Sequence, residues 1–305
     1  MIRKITLDDP EYPKRLKAIH KPPAELYVNG SLIPQDEMAV AIVGSRRASL
    51  YGLEMAEKLG YDLALRGVTV VSGMARGIDT AAHRGALKAK GRTIAVMGSG
   101  HGRIYPAENK KLYAEIAKTG AVVTEYADGE EPLAFHFPQR NRIISGLSLG
   151  VIVVEAAKDS GALITAELAA EQGREVFAVP GKISSASSSG ANSLIKDGAK
   201  LVQSVDDIID ELSLRELKEV SEDKRESLDG KIRRMTKNYI YNALTEDERK
   251  IYNALSDEPM HIDDIIRKVG LERAKTAKAL LNLQLKKLIQ EVPGKQYLRK
   301  ESFNG

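Results

Sequence analysis

The stretch that decides the fold is Ala39-Val40-Ala41-Ile42-Val43-Gly44-Ser45-Arg46. Five apolar residues without polar alternation are typical of a strand that is buried on both faces of a sheet. Glycine and serine then end the strand, and a helical stretch follows from Leu53 to Arg66, with Gly67 as its expected C-cap. A buried strand that passes through a tight turn into a helix predicts the first unit of a parallel sheet.

The same pattern of a short apolar strand followed by a helical stretch continues along the chain. The further predicted strands are Val68–Val71, Thr93–Met97, Ala121–Thr124, Gly150–Val154 and Glu175–Val179. Strands that alternate with amphipathic helices predict an α/β fold over residues 39–212, a Rossmann-like parallel sheet with helices on both faces. In such sheets ligands bind beyond the carboxyl ends of the strands, so we expect the functional residues there.

The remaining segments predict smaller parts around this body. Residues 1–38, with one short strand at Glu25–Gly30, are expected to form an N-terminal extension packed on the core. Residues 213–242 are rich in charge and poor in apolar side chains, which is typical of a linker. Residues 243–305 predict a small winged-helix domain. Its expected elements are three helices and a hairpin, at Glu246–Leu255, Asp263–Val269, Glu272–Leu288 and Gln290–Leu298.

The composition excludes several classes of protein. The 305 residues include no Cys, so disulfides and thiolate metal sites are not available. The five His are scattered without ligand spacing, and no apolar run is long enough to span a bilayer. We therefore expect no metal, no cofactor, no membrane insertion and a cytoplasmic location. Residues 231–305 carry a net charge of +6 and residues 1–230 carry −2, a distribution that favours a polyanionic partner.

Aromatic and basic residues are concentrated in the segment Phe135-His136-Phe137-Pro138-Gln139-Arg140-Asn141-Arg142. Two of the four Phe of the chain stand here beside two arginines. Aromatic faces that stack on bases and guanidinium groups that hold phosphates are what single-stranded nucleic acid binding requires. The alternative is structural, with the Phe side chains in the core and the arginines pairing with acids or capping a helix. The residue types alone leave both interpretations open.

Two glycine-rich strand ends add to the candidate site. Gly44, Ser45 and Arg46 follow the first predicted strand, where backbone N–H groups and a guanidinium group can hold phosphate. An ordinary tight turn with an exposed arginine is the alternative. The second strand is followed by Gly73-Met74-Ala75-Arg76-Gly77-Ile78-Asp79. We expect its two glycines to let a ligand approach the backbone closely, and Asp79 to cap the next helix.

Two common nucleotide-binding motifs are missing from these turns. The glycine spacing of dinucleotide-binding folds does not occur, and neither does the phosphate-binding loop of nucleotide hydrolases. Nicotinamide cofactors and nucleotide hydrolysis are therefore disfavoured.

The sequence gives no support for catalysis. Glu125, Glu155 and Glu167 are the acids nearest to strand ends or helix starts, and Glu155 directly follows an apolar strand. A carboxylate in that place is either a general base or the partner of Arg140 or Arg142. No nucleophile with a base and no recognisable pair of carboxylates accompanies these acids. We therefore expect no catalytic residue.

Taken together, these motifs resemble those of the DNA-processing protein A family, also called DprA or Smf. The resemblance covers residues 10–212 and extends more loosely to the winged-helix-like domain. Besides the strand-end motifs, it rests on short motifs that follow in the same order, Tyr105-Pro106-Ala107-Glu108-Asn109, Gly161-Ala162-Leu163-Ile164-Thr165-Ala166, Pro180-Gly181 and Gly190-Ala191-Asn192-Ser193-Leu194-Ile195. The loop Gly98–Arg103 departs from the family pattern, in which a Cys and an acidic residue are usual.

The resemblance implies a non-enzymatic homodimer that binds single-stranded DNA and loads the RecA recombinase during natural transformation. The candidate DNA-binding residues are Gly44, Ser45, Arg46, Gly73, Arg76, Gly77, Phe137, Arg140, Asn141 and Arg142. Among them we expect Arg46, Arg140 and Arg142 to hold phosphates, and Phe137 to stack on a base or to shape the pocket. Phe135 is expected in the core.

Two other functions remain open. One is a nucleotide-processing enzyme on a related Rossmann-like scaffold, although Pro180-Gly181 is followed by Lys182-Ile183-Ser184 and not by the glycine-rich signature of such enzymes. The other is a duplex DNA-binding regulator, with basic residues of Glu272–Lys278 entering a groove. The alternative to this regulator is that the same winged helix contacts a protein and that its lysine-rich face is only solvated.

Overall fold

The computed structural model describes residues 2–213, 244–256, 258–286, 288–292 and 294–299. Contacts between residues divide the chain into two compact units, Met1–Val220 and Ser221–Gly305. The predicted charged linker lies outside the described residues except for Ser213. Within the described ranges no helix is both long and apolar enough to cross a membrane, and no three His, Asp or Glu side chains are grouped to hold a metal ion.

Nine strands of the first unit form one sheet. They are β1 Ile2–Thr6, β2 Glu25–Gly30, β3 Ala39–Val43, β4 Thr69–Ser72, β5 Thr93–Val96, β6 Ala121–Thr124, β7 Gly150–Val153, β8 Glu175–Ala178 and β9 Lys200–Leu201. Their order in the sheet is β1-β2-β6-β5-β4-β3-β7-β8-β9. In this order, the seven strands from β6 across the sheet to β9 are all parallel to their neighbours. Strand β2 pairs antiparallel with both β1 and β6. The predicted Rossmann-like sheet is confirmed, and every predicted strand is present to within one or two residues.

Helices cover both faces of this sheet. They are α1 Lys14–Lys17, α2 Leu50–Leu65, α3 Ile78–Lys88, α4 Lys110–Thr119, α5 His136–Gly146, α6 Gly161–Glu171, α7 Ser189–Lys196 and α8 Val205–Glu211. Apolar residues of α1, α5, α6 and α7 pack on one face of the strands, and those of α2, α3, α4 and α8 pack on the other. The central strand β3 is buried along its whole length, as its uninterrupted apolar sequence predicts.

Two local differences from the sequence-based expectations have simple causes. The strand β1 was not predicted, because it is an edge strand with only Ile5 buried and therefore lacks a clear apolar pattern. Helix α2 begins at Leu50, three residues before the predicted start, because Ser49 caps it by accepting a hydrogen bond from the Gly52 amide.

The second unit contains three helices and a three-stranded sheet in its described residues. The helices are α9 Glu246–Ala254, α10 Ile262–Val269 and α11 Arg273–Leu285, and the strands are β10 Met260–His261, β11 Ile289–Val292 and β12 Gln296–Arg299. The strands lie in the order β10-β12-β11, all antiparallel. Gly270 ends α10 in the left-handed conformation with φ 67°, which a glycine adopts without strain. The predicted winged helix is confirmed.

Candidate functional site

A pocket of about 340 Å³ opens at the carboxyl ends of β3, β4 and β5. Its lining residues are Arg46, Arg47, Ala75, Arg76, Tyr105 and Pro106. They come from three separate segments that follow three neighbouring parallel strands. The pocket therefore lies where the strand order predicts a ligand crevice.

The first two of these segments are packed against each other through their backbones. The Ile78 amide donates a hydrogen bond to the Ser45 carbonyl at 3.2 Å, and the Ser45 amide donates to the Glu155 carbonyl at 2.7 Å. Gly77 adopts φ 75°, and a Cβ at this position would overlap the Ser45 carbonyl. The sequence predicts that this glycine makes room for a ligand. Instead, it lets the two turns meet and so fixes the shape of the pocket.

Two arginines and two aromatic rings form a continuous row along the pocket. The Arg46 guanidinium carbon lies 5.0 Å from the centroid of the Phe137 ring. The Tyr105 and Phe137 ring centroids are 5.6 Å apart with their planes tilted by 54°, and the Arg76 guanidinium carbon lies 6.0 Å from the Tyr105 centroid. Both distances from a cation to a ring are within the range of a favourable cation–π contact. We call Arg46, Phe137, Tyr105 and Arg76 the arginine–aromatic row.

The members of the row differ in their exposure to solvent and in whether they form ion pairs. Phe137 is partly buried, whereas Tyr105 is 40% exposed and presents part of its ring to solvent. Arg76 donates from Nε to the Glu108 carboxylate at 2.5 Å. Arg46 and Arg47 are exposed, and no carboxylate of the described residues lies within ion-pair distance of either. Two free guanidinium groups beside an accessible ring therefore form the mouth of the pocket.

The structure separates Arg140, Asn141 and Arg142 from this mouth. Arg140 is 3% exposed and lies beneath the pocket, with its guanidinium 5.9 Å from the Phe137 centroid. Arg142 donates to the Glu125 carboxylate, whose pKa is raised by burial even though the Arg142 charge opposes this shift. Asn141 donates to the Gly161 carbonyl at the start of α6. None of the three lines the pocket, and the expected direct phosphate contacts of Arg140 and Arg142 do not fit their positions.

Phe135 is also placed differently from the expectation. It is 59% exposed, and its ring lies edge-on to the buried His136 at a centroid distance of 4.6 Å. The reason is local: α5 begins at His136, so Phe135 precedes the face that packs on the sheet. His136 takes the interior position, stacked on Tyr126 at 3.9 Å.

The carboxylates near the strand ends have structural partners. Glu155 is buried and accepts hydrogen bonds from the Ser49 amide at 3.1 Å and the Ser49 hydroxyl at 2.7 Å. It therefore holds the start of α2 and pairs with neither Arg140 nor Arg142. Asp79 is not the helix cap that we expected, because Gly77 occupies that position.

Sequence reasoning missed four of the six lining residues, Arg47, Ala75, Tyr105 and Pro106. A signal was present, since Tyr105 and Pro106 follow the glycine-rich end of the third strand. What the sequence did not show is that this distant segment returns to the same pocket. The contact between Tyr105 and Phe137 joins residues 32 positions apart.

Residues 3–213 match the family described as DNA recombination-mediator protein A, and residues 241–295 match the DprA winged helix domain. The chain belongs to the DprA family. The resemblance of the motifs to this family is thereby confirmed, and the family is one of DNA-processing proteins. The candidate pocket lies within the first matched region.

Characterised relatives agree with this assignment. The chain is 40% identical to Protein Smf of Escherichia coli over 297 residues, which cover 95% of this chain and 75% of that protein. It is 49% identical to the DNA processing protein DprA of Streptococcus pneumoniae over 200 residues, 66% of this chain and 71% of the relative.

Solved structures of the family share the fold. The X-ray structure of DprA from Streptococcus pneumoniae superposes with a TM-score of 0.66 at 45% identity, covering 72% of this chain and 75% of that one. DNA processing protein A from Helicobacter pylori, whose structure describes a single-stranded DNA binding mode, gives a TM-score of 0.63 at 32% identity, with coverage of 71% and 98%.

The DprA winged helix domain offers a mixed surface. Lys275 and Lys278 are exposed on α11, but so are Ala274, Ala277 and Leu281 on the same helix. Arg273, at the start of this helix, donates to the Asp263 carboxylate at 2.7 Å. Binding of duplex DNA by this helix stays a prediction, as does a protein-contact role.

Proposed function

We propose that this chain binds single-stranded DNA in the pocket at the carboxyl ends of β3, β4 and β5, and acts as a recombination mediator that loads RecA onto incoming DNA during natural transformation. The observation that carries the proposal is the arginine–aromatic row. It places cations and an accessible ring side by side within one pocket. The cations can hold the phosphates of a nucleic acid backbone, and the ring offers a surface on which an unstacked base can stack.

The geometry favours a single strand over a duplex. The accessible surface of Tyr105 can accept a base only if that base is not already stacked and paired inside a helix. The neighbouring Arg46 and Arg47 are free to neutralise phosphates on either side of such a base. The pocket is lined by residues of turns, and it contains no helix or strand that could enter a groove of DNA and read base edges. We therefore expect little preference for the base sequence.

The proposed contacts can be counted by a salt series. Each phosphate neutralised on a single strand contributes about 0.7 to the slope of log K against log salt concentration. Arg46→Ala should weaken binding of a fluorescein-labelled oligo-dT and reduce the slope by about 0.7. Lys118→Ala removes an equal charge from the last turn of α4, just before β6 begins and thus at the amino ends of the parallel strands, and should change neither quantity. Unchanged affinity and slope for Arg46→Ala would exclude this pocket as the DNA site.

We propose RecA as the partner and a homodimer as the assembly state because the resemblance to the family implies them, and each is tested separately. If the chain loads RecA, it should accelerate RecA filament formation on single-stranded DNA, and Arg46→Ala should lose this effect. If it acts as a homodimer, sedimentation should show twice the mass of the 33.3 kDa chain. A protein that binds DNA but leaves RecA filament formation unchanged would contradict the loading role alone.

A further inference from the structure

Beneath the pocket, one buried guanidinium group ties together the ends of two strands. Arg140 Nη1 donates a hydrogen bond to the Gly73 carbonyl at 2.7 Å and another to the Val96 carbonyl. Gly73 directly follows β4, and Val96 is the last residue of β5. The loops that leave these two strands carry Ala75, Arg76 and Tyr105 into the pocket wall. Arg140 is therefore bonded to the point from which each loop departs.

The same point is held from its other side by a buried carboxylate. Asp79 is 6% exposed, and its Oδ2 accepts hydrogen bonds from the Gly73 amide at 3.2 Å and the Ala75 amide at 3.3 Å. Gly73 thus has its N–H bonded to Asp79 and its carbonyl bonded to Arg140. A Cβ on Gly73 would overlap the Arg140 guanidinium, which explains the need for glycine here.

The two buried charges stabilise each other without direct contact. Burial lowers the pKa of Arg140 to about 10, and the Asp79 charge opposes this shift. Burial likewise raises the pKa of the Asp79 carboxyl, and the charges of Arg140 and Arg46 oppose that shift. Charged groups that make several hydrogen bonds inside a protein fix the geometry of the groups they bond, because an unpaired buried charge is costly.

We propose that Arg140 and Asp79 are positioning residues for DNA binding, which hold the ends of β4 and β5 so that Arg76 and Tyr105 stand in the binding geometry before DNA arrives. This inference rests on the proposed function of the pocket. It differs from a phosphate-contact role for Arg140, because neither residue touches the DNA. A wall that is already ordered loses less conformational entropy when it binds its ligand.

An electrostatic role and a positioning role of Asp79 predict opposite changes in DNA affinity for Asp79→Asn. Removing a negative charge from beneath a cationic pocket should strengthen DNA binding if only electrostatics matters. If Asp79 positions the Gly73 and Ala75 amides, the substitution leaves them a weaker, uncharged acceptor and removes the charge that offsets buried Arg140. Binding should then weaken about fivefold or more, the lower end of typical coupling energies between sites. Arg140→Lys keeps the charge, but the shorter side chain does not carry an N–H donor to the position of Nη1, which bonds both carbonyls, so it should weaken binding similarly while the salt slope stays unchanged.

A matched control separates positioning from general loss of stability. Ile143 lies one turn further along α5 on the same face as Arg140 and is fully buried, but its apolar side chain bonds to neither strand end, so Ile143→Ala creates a cavity without removing a hydrogen bond to the loops. It should lower the melting temperature at least as much as Arg140→Lys, yet leave oligo-dT affinity unchanged. A double-mutant cycle adds a second readout: Arg76→Ala should cost less affinity in the Arg140→Lys background than in the unaltered chain.

The experiment is a fluorescence titration of oligo-dT over a salt series with these variants, each checked for folding by circular dichroism. Weaker binding by both Asp79→Asn and Arg140→Lys at an unchanged slope, with a non-additive cycle, supports the positioning role. Tighter binding by Asp79→Asn, or a slope reduced by about 0.7 in Arg140→Ala, overturns it in favour of electrostatics or phosphate contact. If the unaltered chain does not bind oligo-dT, both this inference and the proposed function fail.

Discussion

Replacing Tyr105 with alanine tests whether the exposed ring of the arginine–aromatic row is the surface on which a base stacks. Tyr105 is 40% exposed, and its ring lies 5.6 Å from Phe137 and 6.0 Å from the Arg76 guanidinium carbon. A base stacked on an aromatic side chain contributes about 1–3 kcal/mol. At about 1.4 kcal/mol for each factor of ten, Tyr105→Ala should weaken oligo-dT binding about 5- to 150-fold.

The salt dependence distinguishes this effect from the loss of a phosphate contact. Tyr105→Ala removes no charge, so the slope of log K against log salt should be that of the unaltered chain, unlike the slope of Arg46→Ala. Tyr105→Phe keeps the ring and should bind nearly normally. Tyr51→Ala is the matched control, because Tyr51 is 42% exposed and lies at the start of α2 outside the pocket lining. Affinity of Tyr105→Ala within twofold of the unaltered chain would refute stacking on this ring.

Three further outcomes follow from the same contacts. Glu108→Gln should release Arg76 from its ion pair and steepen the salt slope for oligo-dT by about 0.7, and an unchanged slope would show that Arg76 does not meet a phosphate. Gly77→Ala should lower the free energy of unfolding by about 2–3 kcal/mol in urea titrations, because φ is 75° and the added Cβ has no room. Gly129→Ala, with φ 86° and nothing within 4 Å, should cost only about 1 kcal/mol. Burial lowers the pKa of His83 to about 3, whereas an unfolded histidine titrates near 6.5. Only the unfolded chain takes up this proton between those values, so stability should fall by up to about 1.4 kcal/mol per unit as the pH drops from about 6.5 towards 3. His83→Asn should flatten this decline.

The sheet could be predicted from the sequence because buried parallel strands leave a strong local signal. The residues of β3 and of β7 are apolar throughout, and each strand ends at small or polar residues that mark the turn. The edge strand β1 has no such signal, since solvent on one side permits polar residues there. Local patterns therefore predicted the buried strands and missed the exposed edge strands β1 and β9.

The candidate site was predictable only in part. Arg46 and Arg76 stand at strand ends, so the rule that ligands bind at carboxyl ends was enough to select them. Arg140 and Arg142 were selected by residue type, and type does not say which way a helical side chain points. One turns beneath the pocket and the other pairs with Glu125, because α5 presents different faces to the strand ends and to its neighbours.

The sequence by itself determined the fold class, the winged helix and the membership of the DprA family, because each rests on short-range patterns or on motifs in a fixed order. Tertiary structure alone decided which side chains reach the pocket, since Tyr105 meets Phe137 only after the crossover from β5 through α4 to β6 has brought them together. It also decided that Gly73 is held by Arg140 and Asp79 from opposite sides. Such contacts depend on direction and burial, which residue identity and spacing do not specify.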